Sequence, residues 1–437
     1  MTFRILNILQ DGKWLPMIHD INDLENVFTV ITGRNSSGKS RLLSKAINAS
    51  IFREENSHVK FSGWYSDRPE RVIAISTGKF DRFPTIMHAG KNNNFIGNYS
   101  YHGVKNPGNP FNEIIKSFLL TILDKNNEET NRVRSLDYLL KYLGFGTDIN
   151  VSLSLNINTG LMKERRYEDF AKDMLKRTMR KNLAVSERYQ KLFNTNMWVS
   201  FVHEVRGRLN DLDLGHDAKK ITVQLNYNEL KFESFSKLDS IHFLLDWDIL
   251  QVSEISFNGL TEKKRLGLST FSSGQQCMLL IILGILSSIQ NNSLVCIDEP
   301  EISLHPEWQL EFIKLLQDVF SLFSGCHFLI ATHSPQIVSG LRDRNGYILS
   351  LEDKQLFQHD SFMKSADFQL AEIFQSPGFK NEYLIRTLLV IISKVSKNDK
   401  LNSSDLKNLA LANSLREHLD ERDPVMYLIK QANALVG

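Results

Sequence analysis

The chain has 437 residues, 42% of them hydrophobic and 23% charged, with 52 basic against 50 acidic side chains and a formal charge of +2. A balance this close to neutral excludes a protein drawn to nucleic acid by its whole field, so any such contact must come from a local basic patch. The length suits two or three cores, since single domains mostly run to about 100–200 residues. Cys277, Cys296 and Cys326 have no metal-ligand spacing and read as reduced core thiols of a cytoplasmic protein. The start MTFRILNILQDGKW lacks an export signal, and the most apolar run, Met278–Ile289, falls short of the ~20 residues of a membrane span. No membrane partner is expected.

In chain order, Phe3–Ile8 and Val27–Thr32 read as strands. The second runs straight into GRNSSGKS and then into Arg41–Ile51, where Leu42, Leu43, Ala46 and Ile47 recur at helical spacing. Arg71–Ser76 is a further buried strand, and the stretch from Pro84 to about Pro110, rich in Gly, Asn, Pro and Tyr, reads as irregular. Helices are expected at Phe111–Asp124, Val133–Leu143, Lys163–Ala184, Arg188–Leu209 and Phe235–Asp246, with strands at Ile149–Ile157 and Ile221–Leu225. The second half alternates again: helix Ser273–Ser288, strand Leu294–Ile297, helix Pro306–Ser321, strand His327–Ala331, strand Tyr347–Leu351, then helix from Phe368 onward. This rhythm implies an α/β fold with a mostly parallel sheet covered on both faces. The expected organisation is an N-terminal core lobe (1–110), an inserted mixed α+β subdomain (111–250), a C-terminal core lobe (251–360) and a helical C-terminal segment (361–437).

Four segments carry chemistry. Gly33-Arg34-Asn35-Ser36-Ser37-Gly38-Lys39-Ser40 fits GxxxxGK[ST] in the strand–loop–helix context that a P-loop needs. The glycines turn backbone N–H groups toward phosphate oxygens, so that Gly33, Asn35, Ser36, Ser37, Gly38, Lys39, Ser40 and Arg41 bind a nucleotide. Lys39 reaches the β- and γ-phosphates of ATP, and Ser40 is a ligand of Mg²⁺. Leu294-Val295-Cys296-Ile297-Asp298-Glu299 ends an apolar run in two carboxylates, Asp298 for the metal and Glu299 to deprotonate the attacking water. Ala331-Thr332-His333-Ser334-Pro335 ends another apolar strand, placing His333 to sense the γ-phosphate. Phe271-Ser272-Ser273-Gly274-Gln275-Gln276 opens the apolar helix. Two readings of it stand: an ordinary serine N-cap, or a second anion-binding helix end whose Ser272, Gly274 and Gln275 serve the nucleotide of another copy.

Taken together, the four segments resemble the ATP-binding-cassette ATPase superfamily, in the soluble branch shared by chromosome-maintenance, recombination-repair and OLD-like ATPases. GRNSSGKS is similar to that branch's GxNGSGKS, Phe271–Gln275 stands for its LSGGQ signature, and IDEPEISLHPEW is similar to its Walker B and D-loop. The resemblance implies an ABC-type P-loop ATPase core that packs as a head-to-tail dimer, or multiples of it, around Mg-ATP, with Ser303–His305 at the interface. FDRFP, YSYHGVK and SADFQLAEIFQSPGF resemble ATPase subunits of bacterial anti-phage systems, PtuA of Septu and its retron-associated relatives. That resemblance implies a separate HNH-type nuclease partner. Two departures matter: Ser273 replaces the signature's first glycine, and no glutamine is placed for a Q-loop after Arg71–Ser76. Asp420-Glu421-Arg422-Asp423, before Pro424, is the nearest approach to a Toprim acidic pattern, and no nuclease site is expected on this chain.

Lys163–Lys181 carries Lys163, Arg165, Arg166, Lys172, Lys176, Arg177, Arg180 and Lys181 against four acids. It is either a DNA contact of steep salt dependence or a solvated helix face. The functional expectation is an ATPase regulating a nuclease; the alternatives are an ATP-sensing scaffold with little turnover and a repair-type ATPase acting on DNA ends.

Overall fold

A computed structural model of the chain describes residues 3–19, 25–34, 36–52, 58–62, 68–78, 81–84, 98–103, 109–124, 129–157, 167–178, 183–195, 197–212, 214, 220–225, 230–231, 235–259, 265–341, 345–358 and 365–436. It begins with a hairpin, β1 (Ile5–Gln10) and β2 (Lys13–Pro16), then β3 (Val27–Thr32), α1 (Lys39–Ile51), β4 (Val59–Phe61), β5 (Val72–Ser76) and β6 (Tyr99–Gly103). The middle comprises α2 (Pro110–Leu123), α3 (Glu129–Tyr142), β7 (Phe145–Leu155), α4 (Tyr167–Thr178), α5 (Leu183–Asn194), α6 (Trp198–Asp211), β8 (Lys220–Leu225), β9 (Leu230–Lys231), α7 (Phe235–Asp246), β10 (Leu250–Gly259) and β11 (Arg265–Gly267). The remainder is α8 (Ser273–Leu286), β12 (Leu294–Asp298), α9 (Pro306–Val319), β13 (His327–Ala331), α10 (Pro335–Ser339), β14 (Gly346–Ser350), β15 (Gln355–Gln358) and helices α11 (Ala366–Glu372), α12 (Glu382–Ser396), α13 (Ser403–Ser414) and α14 (Pro424–Val436).

A seven-stranded sheet, in the order β15-β14-β3-β13-β12-β5-β6, is the centre of the molecule. All its pairings are parallel except the β14/β15 hairpin. β14, β3, β13, β12 and β5 are buried along their whole length, on both faces, as their near-continuous apolar runs require. Alternate residues feed two cores: Val27, Ile31, Leu294, Cys296, Leu329 and Ala331 face α1 and the small antiparallel sheet β2-β1-β4. Phe28, Val30, Val295, Ile297, Phe328 and Ile330 face the opposite way, into a core shared with α8, α9, α2 and α3. At Gly284 in α8 an added Cβ would come within 3.0 Å of the Ile75 side chain, so the glycine permits the helix to lie close on β5.

A second sheet, β11-β10-β7-β8-β9, is antiparallel throughout. The sequence reading missed β10 and β6. β10 alternates buried and exposed residues and pairs with β7 across 100 residues, a partnership that local pattern does not announce. It also attaches residues 250–259 to the sheet of the inserted segment. The single helix expected over Arg188–Leu209 is two: α5 stops at Asn194 and α6 begins at Trp198. Asn194 and Thr195, at the break, carry side chains that compete with the helical backbone, and the Thr195 hydroxyl donates to the Lys191 and Leu192 carbonyls. Helices α12, α13 and α14 bury Leu384, Leu388, Ile391, Leu409, Val425 and Ile429 in a core of their own.

Candidate functional site

The order β3-β13-β12-β5 is what assembles the site, because the loops leaving the C-terminal ends of adjacent parallel strands share one edge of the sheet. Asp298 is in register with Ala331 on one side and Ser76 on the other, and Ala331 with Ile31 on β3. Gly33, Asp298–Glu299 and His333 therefore leave the sheet side by side.

The phosphate loop takes a shape that its glycines and Ser36 allow: Gly33, Ser36 and Gly38 lie at φ of 157°, 66° and 97°. Gly38 is the N-cap of α1, and Lys39 and Ser40 open that helix. Lys39 is 4% exposed. Its ammonium donates to the carbonyls of Gly33 (2.9 Å) and Arg34 (3.1 Å) and lies 3.2 Å from His333 Nδ1. Burial lowers its pKa to about 8, against the carboxylates of Glu299, Glu301, Asp298 and Glu352, which act to raise it. On the far side of the loop Gln10, the last residue of β1, donates to the Ser37 carbonyl at 3.2 Å.

Asp298 is 3% exposed. The Ser40 hydroxyl hydrogen-bonds it, yet burial still pushes its pKa up to about 6, with Glu299 and Asp81 adding to the rise. Its Oδ1 is buried without a hydrogen-bond partner, as is the Ser37 hydroxyl. A buried, unpartnered carboxylate oxygen beside a serine hydroxyl is a donor pair of the hard-oxygen type that Mg²⁺ takes; the residues present fit that ion. No group of three or more His, Cys, Asp or Glu able to hold a metal unaided occurs among the described residues.

At Glu299 the backbone turns into the left-handed region, φ 52° and ψ 53°. A non-glycine residue pays about 1 kcal/mol for this conformation, and such outliers gather at functional corners. The corner is fastened from outside: Thr77, just after β5, donates its hydroxyl to the Glu299 carbonyl, and Glu299 N–H donates to Ala331 O at 2.9 Å. Glu299 Oε1 then lies 3.5 Å from His333 Nε2. Burial, and then the Lys39 charge, lower the His333 pKa against the pull of Glu299. A neutral imidazole that accepts from Lys39 at Nδ1 keeps its proton on Nε2, facing Glu299.

Together these form a cleft of about 190 Å³ lined by Ser36, Gly38, Lys39, Ser40, Arg41, Arg82, Glu299 and His333. Asn35 lies outside the described residues. Ser272, Gly274 and Gln275 do not line this cleft. Ser272 caps α8 in a reciprocal box with Gln275, its hydroxyl accepting from Gln275 N–H at 3.2 Å and its own N–H donating to Gln275 Oε1 at 3.0 Å. Gly274 is buried, with the Trp308 ring 3.5 Å from where a Cβ would stand.

The sequence reading overlooked Glu301, whose carboxylate accepts from His333 N–H at 2.6 Å; its only sequence signal is proximity to Asp298–Glu299. It also overlooked Arg82, Gln10 and Glu352, the last accepting from Arg34 N–H at 2.7 Å. Gln10 and Glu352 lie in no motif, and Arg82 lies in FDRFP, which carried a resemblance but no site role. The acids near the C-terminus act as local caps: Asp423 accepts from Val425 N–H and Lys380 N–H, and Asp420 from Arg422 N–H. In the basic stretch, Lys163, Arg165, Arg166, Arg180 and Lys181 lie outside the described residues. Of the rest, Lys172 pairs with Glu168 at 2.6 Å and Arg177 with Asp173 at 2.8 Å. No helix among the described residues is long and apolar enough to cross a membrane.

The family model described as "AAA ATPase domain" matches residues 78–338, which hold Asp298, Glu299 and His333 and begin after the phosphate loop. The match covers more than half of the chain, which therefore belongs to this ATPase domain family. The chain is also similar to the Retron Ec83 probable ATPase of Escherichia coli, 23% identical over 43% of this chain and 36% of that protein. The Retron Vc95 probable ATPase of Vibrio cholerae is 21% identical over 48% of this chain and 41% of its own length. Protein ea59 of Escherichia phage lambda is 31% identical over 24% of this chain and 22% of its own. The chain thus spans less than half the length of these relatives. Among solved structures, that of Stu0660 of Streptococcus thermophilus aligns over all of this chain and 94% of its own, at 12% identity and a TM-score of 0.32.

Proposed function

We propose that this ATPase-domain protein is of the ABC type, dimerises head to tail around two molecules of Mg-ATP, hydrolyses them, and through that cycle controls a separate nuclease in an anti-phage complex. The observation that carries the reading is the meeting, in one cleft, of Lys39, the Ser40–Asp298 pair, Glu299 and His333. ATP is the substrate, and Mg²⁺, when bound, supplies charge neutralisation between the phosphates and a fixed point for their orientation.

The chain's own groups divide the remaining work. Lys39, now hydrogen-bonded to two loop carbonyls and His333, exchanges those partners for phosphate oxygens, where it gains opposite charge and recovers an ordinary ammonium pKa. Glu299, held by its left-handed backbone at the cleft wall, accepts the proton of the attacking water as the water oxygen bonds to phosphorus. The bond from that phosphorus to the bridging oxygen breaks, and ADP departs. His333, with its backbone fixed by Glu301, presents Nε2–H to the incoming water or the terminal oxygens.

Two observations support the dimer. In a single copy the α8 N-terminus does not line the cleft, and a helix N-terminus is a general anion-binding feature. Half-buried Trp308 stands beside it, 3.5 Å from where a Gly274 Cβ would lie, and Ile302, in the turn after Glu299, is exposed. The resemblance to retron probable ATPases supports the defence context.

Purified wild type, Lys39→Ala and Glu299→Gln, assayed for nucleotide binding, turnover and size, test the proposal. The lysine variant is expected to lose ATP binding. The glutamine variant is expected to bind ATP, turn over roughly 10²–10⁴-fold more slowly and accumulate as an ATP-dependent oligomer. ATP affinity unchanged by Lys39→Ala would overturn the reading.

A further inference from the structure

Building on the reading of the cleft as a nucleotide site, we propose that Arg82 grips the terminal phosphate from outside the phosphate loop, and so makes the protein distinguish ATP from ADP. Arg82 lines the cleft with Ser40, Glu299 and His333, yet it lies some forty residues beyond the loop, in the FDRFP segment, to which the sequence assigned no chemical role.

Its backbone is held with unusual care for an exposed residue. On either side, Asp81 and Phe83 are 7% and 4% exposed. The Asp81 carboxylate accepts from Phe83 N–H at 3.1 Å and from the Tyr101 hydroxyl on β6 at 2.8 Å. The next residue, Pro84, accepts the Tyr99 hydroxyl at 2.8 Å. The Arg82 carbonyl itself accepts the Ser44 hydroxyl at 2.9 Å. Ser44 is one turn along α1 from Ser40, the hydroxyl that meets Asp298. The same post-β5 stretch also supplies Thr77, which fastens the Glu299 carbonyl. The stretch that carries Arg82 thus also fastens Glu299, which lines the same cleft. Order at the backbone and an exposed guanidinium at the cleft wall are what a positioned ligand-binding arginine requires, since little further freedom is lost on binding.

Charge points the same way. Three cations, Lys39, Arg41 and Arg82, face one carboxylate, Glu299, along the lining. Arg41 has Asp11 at 3.9 Å, whereas among the described residues Arg82 makes no ion pair. A guanidinium is planar and matches two phosphate oxygens at once. A diphosphate leaves the far end of the cleft without an anion to meet it.

The test uses the full chain and its Arg82→Ala and Arg82→Lys variants, with affinities for ATP and ADP from competition against a fluorescent nucleotide, and steady-state turnover alongside. Arg82→Ala is expected to weaken ATP by roughly ten- to a hundredfold, the range for a lost charged hydrogen bond, while ADP affinity stays within about twofold and turnover falls. Arg82→Lys is expected to recover part of the ATP preference. Equal weakening toward both nucleotides would show a structural role and overturn the proposal, as would an unchanged ATP-to-ADP ratio. If the wild-type chain binds neither nucleotide, the nucleotide reading fails first and this one with it. If the wild type binds both and Arg82→Ala behaves identically, only the role of Arg82 is lost.

Discussion

Replacing Asp298 by Asn separates two consequences of one buried charge. The fold holds this carboxylate at 3% exposure with Oδ1 unpartnered, and burial lifts its pKa from 3.8 to about 6. A rise of about two pKa units, at about 1.4 kcal/mol each, means that ionising Asp298 costs the fold about 3 kcal/mol. An acid raised in the folded state contributes its stability below the unfolded value and loses it as pH climbs through the folded value. The window is therefore pH 4 to 6. Asn removes the charge and keeps a carbonyl for the Ser40 hydroxyl, so the variant should match wild type near pH 4 and exceed it by up to about 3 kcal/mol at pH 8. Unfolding entropy of about 2.1 cal/mol/K per residue converts that to a Tm gain of about 3 °C for a chain of this length. Thermal melts without nucleotide or Mg²⁺, from pH 4.5 to 8.5, make the measurement. The same variant should lose Mg²⁺-dependent turnover. A Tm difference that ignores pH, or an Asn variant less stable than wild type at pH 8, would refute the reasoning.

Gly38→Ala puts a Cβ at φ 97°, 2.7 Å from Gln10 Nε2; the left-handed backbone alone costs about 1–2 kcal/mol, so Tm should fall slightly and nucleotide affinity much more, checked by melts and titration side by side. Ser272→Ala removes the capping box of α8 at about 1 kcal/mol. Since Ser272 does not line the cleft of its own copy, nucleotide affinity of the monomer should hold while the ATP-dependent oligomer disappears in sedimentation velocity. Loss of monomer affinity would place Ser272 in the wrong copy.

Local pattern carried much of the core. Strand–GRNSSGKS–helix, the apolar run into Asp298–Glu299 and the one into His333 are each contiguous, and backbone geometry follows directly from glycine, from β-branched residues and from the helical spacing of Leu42, Leu43, Ala46 and Ile47. What could not be read was whatever depended on partners distant in sequence. β10 finds β7, and β6 lies inside a stretch of Gly, Asn and Tyr that resembles a loop until Tyr101 and His102 are buried against β5 and α8. Buried there, the His102 imidazole has its pKa pushed down to about 4 and serves the core.

The residues supporting the site divide along the same line. By itself the sequence determined which side chains could handle phosphate, metal and proton, because chemical identity and short spacing are local properties. Only the tertiary structure decided that Arg82 and Glu301 join them, that Asp298 carries an unanswered oxygen, and that the α8 N-terminus stays out of the cleft of its own chain. Those outcomes rest on strand order and on burial, and both are set by non-local packing of the whole sheet.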